Sequence, residues 1–158
     1  MRQQEIEPVA VNMEMITRDA LTRLQDMIDE KKAVISLSNA WYNVLGNKSW
    51  LEEVLINYIS NAIKYGGNPP QIRITTELVG KRKVKYSVSD NGNGLSDKEM
   101  AMLFKKFARL DAIRAEGNGL GLSIVKRIIE KLGGEIGVHS KNISGEGSTF
   151  YFILPLAR

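Results

Sequence analysis

The order of apolar patterns along the chain predicts an α+β fold. It would be a two-layer sandwich: a mixed, mostly antiparallel sheet of about five strands, covered on one face by three helices. Three observations predict it. Three long segments carry apolar residues at helical spacing, five short segments read as strands, and the order of the two kinds suits one sheet with helices on one side. The length of 158 residues fits one domain, and a domain of this size buries roughly 70% of its unfolded surface without staples.

Residues 12 to 31 place Met13, Ile16, Ala20, Leu24, Met27 and Ile28 on one helical stripe. Ala33 to Leu37 reads as a short strand, and Gly46 with Asn47 marks a turn. Residues 48 to 65 form a second amphipathic helix through Leu51, Val54, Leu55, Tyr58, Ile59 and Ala62. Gly66-Gly67 closes it and Pro69-Pro70 stops it. Ile72 to Leu78 and Lys83 to Ser89 are strands joined at Gly80, and Val84, Tyr86 and Val88 alternate with polar residues in the second. A glycine-rich loop at 92 to 94, a short helix from Ser96 to Phe104, and a polar loop over 110 to 119 follow. Leu120, Ile124, Val125, Ile128, Ile129 and Leu132 make the third major helix, ended by Gly133. Strands at 135 to 140 and 148 to 154 close the chain.

Composition excludes several classes. The chain is 43% hydrophobic and 25% charged, which is globular rather than disordered. Cysteine is absent, so disulfides and thiolate metal sites are ruled out. No apolar run approaches the roughly 18 residues of a membrane span, and the polar stretch from Met1 to Glu7 is no signal peptide. The net charge of +4 suits a polyanionic ligand. Lys81, Arg82, Lys83 and Lys85 read as a solvated turn and outer strand face without interleaved aromatics, which ranks nucleic acid well below nucleotide.

Four short segments carry candidate chemistry. In Asn57-Tyr-Ile-Ser-Asn61-Ala-Ile-Lys64-Tyr65, the positions 57, 61, 64 and 65 share the helix face opposite Val54, Leu55, Ile59 and Ala62. Asparagine gains a helix nothing, but its carbonyl can ligate Mg²⁺ and the lysine can meet a phosphate. Taken alone, the segment fits a solvated polar face equally well. Asp90-Asn-Gly92-Asn-Gly94 follows a buried strand. A carboxylate there can accept from an exocyclic amine and the glycines can admit a flat base, although taken alone a plain turn is the better explanation of the segment. Gly117-Asn118-Gly119-Leu120-Gly121-Leu122 opens a helix, where free N–H groups make an anion site. It is neither the dinucleotide-binding pattern nor a P-loop. Gly145-Glu-Gly147-Ser148-Thr149-Phe150 reads alone as a hairpin turn.

In order and spacing, these segments resemble the catalytic and ATP-binding domain of sensor histidine kinases. NYISNAIKYG corresponds to the N box, DNGNGL and GNGLGL to the two glycine boxes, and GEGSTF to the last box. Phe104-Lys-Lys-Phe107-Ala-Arg109 stands at the F box. The resemblance runs from about residue 10 to residue 156, with 1–10 as the end of a linker from a missing dimerisation domain and 11–158 as the catalytic domain. Departures are Trp50 where a basic residue is usual, Lys131-Leu132 where a histidine is common, and Ala108 in place of an aromatic.

The resemblance implies roles. Asn61 is expected to ligate Mg²⁺ with Asn57 beside it, Lys64 to contact phosphate, and Tyr65 to pack near adenine. Asp90 is expected to bind the adenine amine, with Gly92, Gly94 and Leu95 beside the ring, and Ser148 or Thr149 to join the nearby water. Phe107, Gly117, Asn118, Gly119, Leu120, Gly121 and Leu122 belong to the implied nucleotide site, under an ATP lid at about 108–118. Lys106 and Arg109 are expected to steady the γ-phosphate and, with Asn57, Asn61 and Lys64, make up the implied catalytic set. Related ATPases hydrolyse ATP with a glutamate where Asn57 stands. Asparagine takes no proton at neutral pH, so transfer to a protein acceptor is favoured over hydrolysis, and Glu53 one turn back reads as solvated.

The implied activity is histidine-kinase transfer of the γ-phosphoryl group of Mg-ATP, with ADP as product. The acceptor would be a histidine on a separate dimerisation domain, with a response regulator downstream. His139, the one histidine, reads as a half-exposed strand residue without an acceptor's surroundings. A monomeric, cytoplasmic domain excised from a longer kinase is expected. A serine or threonine kinase of the same fold and a non-catalytic ATP-sensing module are the rival readings, and the complete set of boxes argues against the first of these.

Overall fold

The computed structural model describes residues 7–103 and 121–157. The elements are β1 (Val9–Val11), α1 (Met13–Arg23), α2 (Gln25–Lys31), β2 (Val34–Leu37), β3 (Val44–Gly46) and α3 (Lys48–Tyr65), then β4 (Gln71–Val79), β5 (Lys83–Ser89), α4 (Asp97–Met102), α5 (Gly121–Lys131), β6 (Glu135–Ser140) and β7 (Ser148–Pro155). Five strands form one sheet in the order β2-β4-β5-β7-β6. β2 runs parallel to β4 and the remaining neighbours are antiparallel, so the expected mixed, mostly antiparallel sheet is present.

The period of two sets which sheet face is covered. Ser148, Phe150, Phe152 and Leu154 of β7 are buried, while the residues between them are half-buried. Ile72, Ile74 and Thr76 of β4 and Val84, Tyr86 and Val88 of β5 turn the same way. Over this face lies α3, which buries Leu51, Val54, Leu55, Tyr58, Ile59, Ala62 and Ile63 and packs between α1 and α5. Each of the large aliphatic side chains among them contributes roughly 1.5–3 kcal/mol by leaving water, against a propensity cost of at most about 0.7 kcal/mol for an asparagine on the opposite face. Burial therefore wins, and α3 can carry two asparagines without losing its helix. Tyr86 stacks on Phe152 with ring centroids 5.1 Å apart. The Tyr86 hydroxyl pairs with Thr17, and the Tyr58 hydroxyl donates to the Tyr151 carbonyl at 3.0 Å.

Three local expectations change. The stripe over 12 to 31 is carried by two helices. At Leu24 (φ −98°, ψ 8°) the backbone leaves the α region, and the Leu24 N–H is shared between the Ala20 and Leu21 carbonyls. Gly46 closes a strand rather than making a turn, because β1 and β3 pair as a small antiparallel sheet, with Val9 opposite Gly46. Asn47 then caps α3, accepting from the Trp50 N–H at 3.0 Å. Ile124 stands 48% exposed on the flank of α5, outside the buried line of Leu122, Val125, Ile129 and Leu132. Among the described residues, no helix is long and apolar enough to cross a membrane.

Candidate functional site

The candidate site lies where the last two turns of α3 meet the exit of β5 and the β6–β7 loop. On α3, Asn61 Nδ2 donates to Asn57 Oδ1 at 3.2 Å, so the pair shares one helix face as the spacing predicts. With its nitrogen engaged there, Asn61 has its carbonyl oxygen left to coordinate a cation. Among the described residues, no group of three histidine, cysteine or acidic side chains could hold a metal. The Asn61 carbonyl, water and ligand oxygens are the kind of hard donors that Mg²⁺ prefers. Lys64 is exposed one turn further on, its Nζ 5.7 Å from the Tyr65 ring centroid.

Asp90 follows the last residue of β5 and has the inward parity of Val88. Its Oδ1 accepts from the Gly92 N–H at 2.8 Å and the Ser148 N–H at 3.3 Å, and its own N–H donates to the Ser148 carbonyl at 2.9 Å. These bonds fix the carboxylate to the start of β7. The glycines around it are steric requirements: a Cβ on Gly92 would run into the Tyr65 carbonyl oxygen, and one on Gly147 (φ +63°) into the Asp90 carbonyl oxygen. The Gly92 carbonyl in turn accepts from Gly145 and Gly147. Gly94 and Leu95 are buried beneath the loop.

Ser148 and Thr149 part company. Thr149 faces the other side of the sheet, where its hydroxyl lies 2.7 Å from that of Ser89. Ser148 faces the helices, is 4% exposed, and its hydroxyl has no hydrogen-bond partner among the described residues. A buried hydroxyl without a partner costs free energy unless a water or ligand satisfies it. Beside Asp90, that orphan is the group an adenine-bound water would complete, so the residues present fit a nucleotide.

Lys106, Phe107, Arg109, Gly117, Asn118, Gly119, Leu120 and the expected lid at 108–118 lie outside the described residues. Gly121 opens α5, and the Leu122 side chain is buried in the core. His139 is exposed on β6 rather than half-exposed. Two further side chains organise the site. Ser140 Oγ accepts from the Leu95 N–H (2.9 Å) and the Asn142 N–H (3.1 Å) and donates to the Gly147 carbonyl (2.9 Å). Asn91 Oδ1 accepts from the Gly67 and Gln71 N–H groups. Neither residue stands out in sequence, because the Asn91 bonds and the Ser140 bond to Leu95 reach backbone 20 or more residues away.

The fold and this site together define a nucleotide-binding class. Residues 46–158 match the profile of the histidine kinase-, DNA gyrase B- and HSP90-like ATPases, and the chain belongs to that family. Adaptive-response sensory kinase SasA of Prochlorococcus marinus is 39% identical over 116 residues, 72% of this chain and 30% of SasA. Sensor histidine kinase AruS of Pseudomonas aeruginosa is 33% identical over 164 residues, 96% of this chain and 16% of AruS. The chain thus spans under a third of the length of these curated relatives. The solved structure of full-length ShkA in complex with AMPPNP superposes with a TM-score of 0.80 at 27% identity, over 98% of this chain and 32% of ShkA.

Proposed function

We propose that this chain is the Mg-ATP-binding catalytic domain of a sensor histidine kinase, presenting the γ-phosphate to a histidine on a separate dimerisation domain in two-component signalling. The observation that carries the reading is Asp90, anchored to the start of β7 beside Ser148, whose buried hydroxyl has no partner among the described residues. ShkA, which is similar over nearly the whole of this chain, was solved with an ATP analogue, and this supports the same ligand class here.

Asp90 would receive the adenine amine, with Ser148 holding the accompanying water. Asn61 would hold Mg²⁺, which when bound neutralises charge on the phosphates. Lys64 at the helix end would add a point charge to them. The expected roles of Lys106, Arg109 and the glycines at 117, 119 and 121 extend this proposal to the lid. Asn57, bonded to Asn61, cannot take a proton from water, and Glu53 is exposed one turn back. The groups on this face of α3 would therefore position phosphates without activating water, which favours transfer over hydrolysis. A response regulator would then receive the phosphoryl group, and the catalytic domain itself would act in the cytoplasm.

Calorimetry with ATP, with and without Mg²⁺, tests the site on this chain and on Asp90→Asn. Asparagine keeps the oxygen that accepts from Gly92 and Ser148, so the variant should fold while ATP affinity falls about 100-fold. Phosphorylation of an added histidine-bearing dimerisation domain then tests transfer. A wild-type chain that binds no adenine nucleotide overturns the reading, and binding without transfer leaves an ATP-sensing module in its place.

A further inference from the structure

Asn91 sits between the residue assigned to adenine and the loop that leaves α3. Extending the β4–β5 register, in which Arg73 faces Ser89, places Asn91 opposite Gln71. There its side chain takes a ladder position: Oδ1 accepts from the Gln71 N–H at 2.9 Å and from the Gly67 N–H at 2.7 Å, while Nδ2 donates to the Pro69 carbonyl at 3.2 Å. One amide thus holds residues 67, 69 and 71. These residues follow directly on Lys64 and Tyr65, and α3 itself ends in an extended Gly66 (φ −71°, ψ −177°) instead of a left-handed cap. The neighbouring Asp90 is fixed separately, by its bonds to Gly92 and Ser148.

We propose that Asn91 is a positioning residue that sets the phosphate-side groups at the end of α3, above all Lys64, against the adenine-side Asp90. This rests on the nucleotide reading above. Losing the amide frees the chain after α3 but leaves the anchors of Asp90 intact, so the phosphate-side contacts should suffer more than the adenine contact.

Calorimetry with Mg-ATP and with adenosine, which has no phosphates, separates the two sides. In Asn91→Ala, ATP affinity should fall about tenfold and adenosine affinity less than about threefold, and in a Lys64→Ala background the loss for ATP should shrink to that for adenosine. Gly67→Ala offers a second route, because its Cβ would lie 2.6 Å from Asn91 Nδ2 and 2.9 Å from the Asn91 carbonyl oxygen, and so displaces Asn91 without altering it. That variant should show the same selective loss and serves if Asn91→Ala fails to fold. Equal losses for both ligands, or a full Asn91→Ala effect with Lys64 already removed, overturn the proposal while wild-type binding still upholds the nucleotide site. A wild-type chain that binds neither ligand removes both.

Discussion

Ser140 and Ser148 face each other across β6 and β7 as register partners, at the same end of the same sheet, and their hydroxyls live in opposite states. The Ser140 hydroxyl engages three backbone groups, from Leu95, Asn142 and Gly147. That of Ser148 is as buried as a core residue and engages none among the described residues. A satisfied hydroxyl at a strand end holds loops together. An orphaned one beside a fixed carboxylate is a cost that a ligand or its water can recover. The same contrast reaches into the core, where the Tyr58 and Tyr86 hydroxyls, with partners at Tyr151 and Thr17, belong with Ser140.

The harshest way to break the satisfied set is to remove its protons. Burial pushes the Tyr58 hydroxyl far above the usual tyrosine range, and the neighbouring Tyr151 adds to the rise. Burial also raises Tyr86, partly offset by its bond to Thr17. The unfolded chain would release both protons near pH 10 while the native chain keeps them, so it binds fewer protons there and stability must fall as pH rises. The stability attached to these groups is complete below about pH 10 and is lost above it, by up to about 1.4 kcal/mol per pH unit for each tyrosine. Urea unfolding between pH 8 and 11 should show a flat region and then a steep decline. A midpoint still constant at pH 11 would mean that the two hydroxyls are not held protonated by the core.

Next in size is Ser140→Ala, which strands the buried Leu95 N–H and the Gly147 carbonyl together. A loss of about 2–3 kcal/mol is expected in urea unfolding, with the slope of the transition unchanged. A loss below about 0.5 kcal/mol would mean that water replaces the hydroxyl and that the glycine loops hold themselves.

Much of this was legible in the residues, and what was not has a common cause. Patterns with period two or 3.6 revealed the five strands and the stripes of α1, α3 and α5, because burial of those side chains outweighs local propensity. The alternation of β7 also shows that Ser148 and Thr149 lie on opposite faces: Ser148 has the parity of Phe150 and Phe152, and Thr149 does not. The break at Leu24 was hidden because the apolar stripe continues across it. β1 and β3, three residues each, are too short to display alternation, and only their mutual pairing makes them strands. Ser140 and Asn91 were invisible for the same reason: a side chain that bonds backbone 45 residues back, as Ser140 does with Leu95, leaves no local pattern.

The smallest effect on stability should come from Ser148→Ala, and it is the sharpest test of the contrast. Removing a hydroxyl that has no partner removes its burial cost with it, so stability should shift by no more than about 0.5–1 kcal/mol and can rise. Its neighbours should hardly notice, because the Ser148 backbone, which bonds Asp90 in both directions, is untouched. ATP affinity should nevertheless fall about five- to tenfold, the worth of one water-mediated hydrogen bond to a bound base. Urea unfolding and calorimetry on one protein preparation would read both quantities. Should stability instead drop as far as in Ser140→Ala, a resident water already completes the hydroxyl in the free protein, and the two serines differ only in what satisfies them. Unchanged stability with unchanged affinity would place the ligand away from Ser148 and send the search for the base to another part of the β5 exit.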